Sequence, residues 1–285
     1  MIPGILRKPA WLKIKLATGG SYEKVRDTIH EKGLNTICTS GKCPNAGECW
    51  SNGTATFMIL GSICTRSCKF CNVTTGKPLH VDNDEPLKVA ESIKTLGLKH
   101  CVITSVDRDD LPDGGAAFWA LVVREIKRIN PGTTIETLVP DFQGNLNDLD
   151  KVIESSPDII SHNLETTRRL TPIIRSKATY DVSLKVLSHI SASGIKAKSG
   201  IMAGLGETEL EVYETMDDLL TVGCRIMTIG QYLQPTLTHT PVMEYITPIM
   251  FEKYRITGIS KGFEFIESAP FVRSSYHAEK QVKCQ

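Results

Sequence analysis

The sequence has no run approaching the ~20 apolar residues that a membrane-spanning helix needs, so it predicts no span. Its N-terminus, Met1 to Leu16, holds no continuous apolar stretch and no small-residue cleavage site. No export signal is expected, and the cytoplasm is the default compartment. An excess of charge is missing too. The formal net charge of +1 gives no reason to expect nucleic acid, whose binders are usually clearly basic. No low-complexity linker divides the chain. What remains is an ordinary globular composition, 41% hydrophobic and 23% charged. At 285 residues it is long enough for one large α/β domain with small extensions.

The anomaly is nine cysteines. Cys38, Cys43, Cys49, Cys64, Cys68 and Cys71 crowd together, whereas Cys101, Cys224 and Cys284 are scattered. A disulfide scaffold suits a short secreted chain. In a long chain without an export signal, clustered thiols read as metal ligands.

From Thr56 onward, short β-prone runs alternate with longer amphipathic segments. Strands are expected at Thr56–Leu60, Cys101–Thr104, Thr134–Val139, Asp158–Ser161, Ala197–Met202 and Arg225–Gly230. Helices are expected near Pro86–Leu98, Gly115–Ile129, Leu146–Ser155, Tyr180–Ala192 and Glu207–Val222. In the fourth, Val182, Val186, Leu187 and Ile190 share one face, and Gly194 supplies a stop. This alternation implies parallel strands with right-handed crossovers. The expected fold is α/β: a partial (β/α)6 TIM-type barrel over 56–246, with extensions at 1–55 and 247–285. A doubly wound open sheet is the competing topology. Phe263–Ile266 is a possible extra strand, and both extensions are expected to pack on the barrel. The strip from Leu6 to Lys15 reads as a solvated arm, or else as a docking strip for an acidic partner.

Cys64-Thr-Arg-Ser-Cys68-Lys-Phe-Cys71 follows the first expected strand. Three thiols on one loop suit three irons of a [4Fe–4S] cubane and leave the fourth iron open to a small molecule. Structural zinc favours paired C-x2-C knuckles, and no second knuckle accompanies this loop. With Phe70 before the last cysteine, the motif resembles the signature of the radical S-adenosylmethionine superfamily. That resemblance implies that the open iron binds the amino and carboxylate groups of S-adenosylmethionine. One-electron cleavage then gives methionine and a 5′-deoxyadenosyl radical, which removes hydrogen from an unactivated carbon.

Cys38-x4-Cys43-x5-Cys49 is a second, rarer triplet. It suggests a second cluster, since six ligands exceed what one shared cubane needs. Paired with the first triplet, and followed by Arg273-Ser274-Ser275-Tyr276-His277-Ala278, it resembles the lipoyl synthase family almost over its full length. The flanks Arg7-Lys8-Pro9 and Gln231-Tyr232-Leu233-Gln234-Pro235 extend the likeness. The sequence departs from that pattern at Ala269-Pro270, where Gly-Pro is usual, and at Thr236-Leu237, where basic residues are common.

The resemblance implies two [4Fe–4S] clusters and S-adenosylmethionine. Cys64, Cys68 and Cys71 hold the radical-generating cluster. Cys38, Cys43, Cys49 and Ser275, with Ser274 the runner-up, hold an auxiliary cluster that is consumed as the sulfur source. A hard alkoxide suits iron–sulfur less well than a thiolate, so that corner should be labile. The implied reaction inserts sulfur at C6 and C8 of an octanoyl chain borne on a carrier lysine. Implied carriers are the glycine cleavage H protein and the E2 subunits of 2-oxoacid dehydrogenases. An electron donor such as ferredoxin or flavodoxin and a cluster-repair carrier are implied as well. A biotin-synthase-like enzyme or methylthiotransferase and a non-catalytic iron–sulfur carrier are the alternatives.

Within the same frame, Asn163 and Glu165 are expected at ribose hydroxyls and Arg175 at the methionine carboxylate. Gly204, in a glycine-bearing loop without G-x-G-x-x-G or Walker spacing, is expected beside adenine. The polar loop Thr104 to Gly115 resembles the one that receives the methionine amino group, although it lacks the usual GGE. His162 and His239 read first as loop residues rather than ligands. Cys101 and Cys224 read as buried small hydrophobes, and Cys284 as idle.

Overall fold

A computed structural model describes residues 7–13, 20–52 and 54–281. Cys284, Leu6, Ile14 and Lys15 lie outside the described residues. The strands in chain order are β1 (Asn35–Thr36), β2 (Thr56–Ile59), β3 (Ile63–Cys64), β4 (Thr74–Thr75) and β5 (His100–Ser105). There follow β6 (Thr134–Leu138), β7 (Ile159–Ser161), β8 (Lys196–Ala203), β9 (Ile226–Gln231) and β10 (Phe265–Ala269).

One sheet runs in the order β1-β2-β5-β6-β7-β8-β9-β10, and its two ends do not pair with each other. Only β1 is antiparallel, so the fold is a partial rather than a closed barrel. The strands are mostly buried but not uniformly apolar, and Lys198 of β8 meets Glu136 of β6 in a fully enclosed ion pair at 2.8 Å. β2 and β9 are buried along their whole length. The outer helices carry the 3.6-residue stripe. In Ala116–Ile129, Trp119, Val122, Val123 and Ile126 face inward while Leu121 is exposed. Their ends are set chemically. Thr208 and Glu211 form a reciprocal capping box at Glu209–Thr221, and Gly97, with φ 69°, closes Glu85–Leu96.

Seven strands run parallel, one more than the six expected. β10 continues the sheet on β9, pairing Phe265 with Ile226 through Ala269 with Gly230. The C-terminal segment therefore extends the repeat rather than only packing on it. Thr247 caps helix Pro248–Lys261, with Pro248 in its first turn and Gly262 at its end, which makes β9–helix–β10 one more β/α unit. The N-terminal segment also holds more order than its weak periodicity suggested. Helix Gly20–Glu31 anchors through Val25 and Ile29, and the Tyr22 ring lies 5.3 Å from that of Trp50. Among the described residues, no helix is long and apolar enough to cross a membrane.

Candidate active site

One cavity of about 1040 Å³ runs through the partial barrel, and all six clustered cysteines line it. Its walls also include Ser274, Ser275, Phe70, Asn163, Glu165 and Arg175, with apolar Val102, Leu138 and Ile201 between. Gly204 is not on the wall.

The first triplet sits where the strands end. Cys64 closes β3, and its loop is tied to the loop after β5 by the Thr65 amide donating to Asp107 O at 3.1 Å. The backbone amides of Arg66 and Asp107 each point at Cys64 Sγ from 3.4 Å. Cys68 Sγ lies 3.7 Å from Ser176 Oγ. The loop's far side is held by Lys69 N donating to Ile174 O and by His239 Nε2, which donates to the Cys71 carbonyl at 3.0 Å. Burial pushes the Cys64 thiol up to about 11, with Asp107 adding to the effect, and Cys71 up to about 12. A bare thiolate is disfavoured there, so ionisation requires a cation at the sulfurs.

Arg66, an unremarked spacer in the sequence, organises this end. Its guanidinium donates to both Asp109 oxygens at 2.9 and 2.8 Å and to Asp141 at 2.7 Å, and Asp107 lies 3.4 Å away. Two successive strand-end loops, after β5 and after β6, are thereby fixed to the cysteine loop.

The second triplet lies at the opposite end of β2. Cys38 is in the short helix Ile37–Ser40 and Cys49 in Ala46–Ser51, with the Cys43 amide donating to Cys38 O at 3.0 Å. Burial raises the Cys38 thiol and pushes Cys49 up to about 12. The C-terminal segment covers this group. Asn45 Nδ2 donates to Phe271 O at 2.6 Å, and the Tyr276 hydroxyl donates to Glu48 at 3.2 Å. Ser275 Oγ accepts from Thr56 at 2.8 Å, while Ser274 Oγ accepts from Asn163 Nδ2 at 2.6 Å. The two serines therefore turn to different strands.

Glu165 takes a left-handed backbone (φ 67°) after β7, and burial raises its carboxyl while Arg175 opposes that. Arg175 donates to Ser183 Oγ at 2.8 Å. Gly204 lies in a packed turn. A Cβ there would sit 2.2 Å from Gln231 Nε2 and 2.4 Å from Glu244 O, so the absent side chain makes room for protein rather than for adenine. His162 is buried and hydrogen-bonded, with no metal-ligand geometry around it. Among the described residues, no three His, Cys, Asp or Glu side chains are grouped closely enough to hold a single metal ion as they stand. Cys101 and Cys224 are buried, as core residues are.

Residues 58–219 match the Radical SAM superfamily. Lipoyl synthase of Bacteroides thetaiotaomicron is 61% identical over 278 residues, covering 98% of this chain and 99% of its own. Lipoyl synthase of Treponema denticola is 59% identical over 276 residues, covering 97% of this chain and 95% of its own.

The chain belongs to the lipoyl synthase family.

It is therefore an enzyme of the radical S-adenosylmethionine class, in the sulfur-inserting group to which that family belongs. Solved structures agree on the fold. Methylornithine synthase superposes with a TM-score of 0.53 at 15% identity, covering 79% of this chain and 71% of that one. Streptococcus suis SuiB bound to S-adenosylmethionine gives 0.57 at 12% identity, covering 80% and 55%.

Proposed function

We propose that this lipoyl synthase divides its work between the two ends of one cavity, and that the three segments 1–55, 56–246 and 247–285 supply its parts. The observation that carries the reading is that both cysteine triplets and Ser275 line the same continuous space. The donor sets fit iron–sulfur clusters: each loop offers three soft thiols, and at Cys38, Cys49, Cys64 and Cys71 burial disfavours an uncompensated thiolate. Cys64, Cys68 and Cys71 would hold one cluster, and Cys38, Cys43, Cys49 and Ser275 the other. Bound there, the clusters supply an electron to S-adenosylmethionine at one end and sulfide for insertion at the other.

The remaining work is done by the chain's own residues. Arg175 holds the methionine carboxylate, Glu165 and Asn163 face the ribose, and Phe70 packs beside the third cysteine. Ser275 rather than Ser274 is the oxygen ligand, because Thr56 holds it next to Cys38, whose sulfur also meets the Thr56 backbone. Ser274 is instead engaged by Asn163. Val102, Leu138 and Ile201 give the stretch between the triplets an apolar wall that suits an alkyl chain and keeps water from a carbon radical.

The substrate is an octanoyl-lysine on a carrier. The glycine cleavage H protein and the E2 subunits of 2-oxoacid dehydrogenases are the carriers we propose. Ferredoxin or flavodoxin is the proposed electron donor, a separate carrier rebuilds the auxiliary cluster, and the site of action is the cytoplasm. The test is incubation of reconstituted protein with an octanoyl-lysine peptide, reductant and S-adenosylmethionine, read by mass spectrometry. A dithiolane product is expected. Reductive cleavage of S-adenosylmethionine without any thiolated peptide would overturn the sulfur-insertion reading.

A further inference from the structure

Behind Arg175 runs a line of hydrogen bonds that no cysteine touches. Arg175 Nη1 donates to Ser183 Oγ at 2.8 Å, Ser183 lies 2.9 Å from His162 Nε2, and His162 Nδ1 lies 2.9 Å from the carbonyl of Val139. The proton positions follow from the ends. The Val139 carbonyl can only accept, so Nδ1 carries the imidazole hydrogen. A neutral ring then has a bare Nε2, which the Ser183 hydroxyl must fill. Ser183 in turn presents a lone pair to Arg175. His162 and Ser183 are wholly enclosed, so water does not compete for these bonds. The line joins two β/α units: Val139 follows β6, while His162 follows β7 and Ser183 lies in helix Tyr180–Ala192 of that same unit. Among the described residues, no other side chain hydrogen-bonds the Arg175 guanidinium, and Arg175 lines the cavity.

We propose that His162 and Ser183 are positioning residues, which hold one nitrogen of Arg175 so that its remaining N–H groups meet the carboxylate of S-adenosylmethionine at a set angle. The proposal rests on the assignment of Arg175 to that carboxylate. A guanidinium left free must lose rotamer freedom when it binds, and preorganisation removes that cost. It also accounts for a buried histidine at a strand end, on the cavity wall, whose two ring nitrogens are both engaged by protein groups.

Equilibrium binding of S-adenosylmethionine, and of its decarboxylated analogue, to cluster-loaded protein without reductant tests the idea. Ser183→Ala removes one oxygen in a helix interior that tolerates alanine well. It should weaken S-adenosylmethionine about tenfold, and Arg175→Gln about a hundredfold, as a charge-assisted pair would. Neither should weaken the decarboxylated analogue relative to the unsubstituted protein. Ser183→Thr, which keeps the hydroxyl, should recover affinity. If Ser183→Ala is too unstable to isolate, His162→Gln makes the same comparison. Normal binding by Arg175→Gln would overturn the Arg175 assignment and the proposal with it. Weak binding by Arg175→Gln with normal binding by Ser183→Ala would overturn the positioning role alone. Equal loss for both ligands in Ser183→Ala would show mere structural damage and would also overturn it.

Discussion

The Thr56 hydroxyl donates to Ser275 Oγ over 2.8 Å, joining positions 219 residues apart in the chain. The bond brings an oxygen from the C-terminal segment to the start of β2, beside the cysteines of the N-terminal segment. An oxygen there is a weaker partner for iron than sulfur. Ser275→Cys should therefore leave S-adenosylmethionine cleavage intact, raise iron retention, and lower dithiolane yield about tenfold or more. Undiminished yield, measured by mass spectrometry, would remove the argument for a labile corner.

The two triplets are expected to load independently. Unsubstituted protein should carry about eight irons, and Cys64→Ala and Cys43→Ala about four each. The Cys43→Ala protein should still cleave S-adenosylmethionine under reductant, and the Cys64→Ala protein should not. Identical behaviour of the two variants in iron analysis and cleavage assays would mean that the triplets share one centre.

Arg66 offers a test of how the first loop is held. Arg66→Met leaves the buried Asp141 without its cation and Asp109 with Lys177 alone, a change that costs about 3–5 kcal/mol. Urea unfolding of the iron-free protein should show that loss. Iron analysis should show the first cluster depleted and the second retained.

The fold was legible in the sequence to the degree that periodicity carries it. All six expected strands and five expected helices exist, because buried strands and striped helices follow from local patterns. β10 was only half visible: Phe263–Ile266 looked strand-like, but the capped helix Pro248–Lys261 that makes it a parallel repeat went unread. The cysteines could be named from spacing alone. Arg66 could not be recognised as a hub, since its aspartates lie 43 and 75 positions away and only folding brings them together. Gly204 shows what spacing cannot separate. A glycine in a strand-end loop suggests approach to a ligand, yet the same gap serves Gln231 and Glu244.

His162 provides a pH signature. Its burial lowers the ring from the ordinary 6.5 to about 4, so the native state resists its protonation. A group with a depressed folded value contributes fully above 6.5 and loses that contribution as pH falls toward 4, here at most about 3 kcal/mol. Iron-free protein should lose stability to urea between pH 7.5 and 4.5. His162→Gln should lose measurably less over the same range, and an unchanged slope would contradict the assignment.

Gly204→Ala separates packing from ligand contact. With φ 98° and a Cβ 2.2 Å from Gln231 Nε2, the variant should lose several kcal/mol, in the range of overpacked and strained sites. Its melting temperature should fall, while any properly folded fraction binds S-adenosylmethionine normally. Weak binding without a fall in melting temperature would restore an adenine contact.

The cover over the second triplet has a consequence in time. Asn45 waits for Phe271, and Thr56 for Ser275, before the N-terminal loop gains its roof. Domains form as the chain emerges, N-terminal parts first. The ties that organise the first triplet reach no further than Thr240, so they lie wholly in chain made before helix Pro248–Lys261. The second triplet is necessarily finished after the first, since its roof comes from the C-terminal segment. A chain cut short after Thr240 would keep the ties that shape the first cysteine loop and lack the roof of the second triplet.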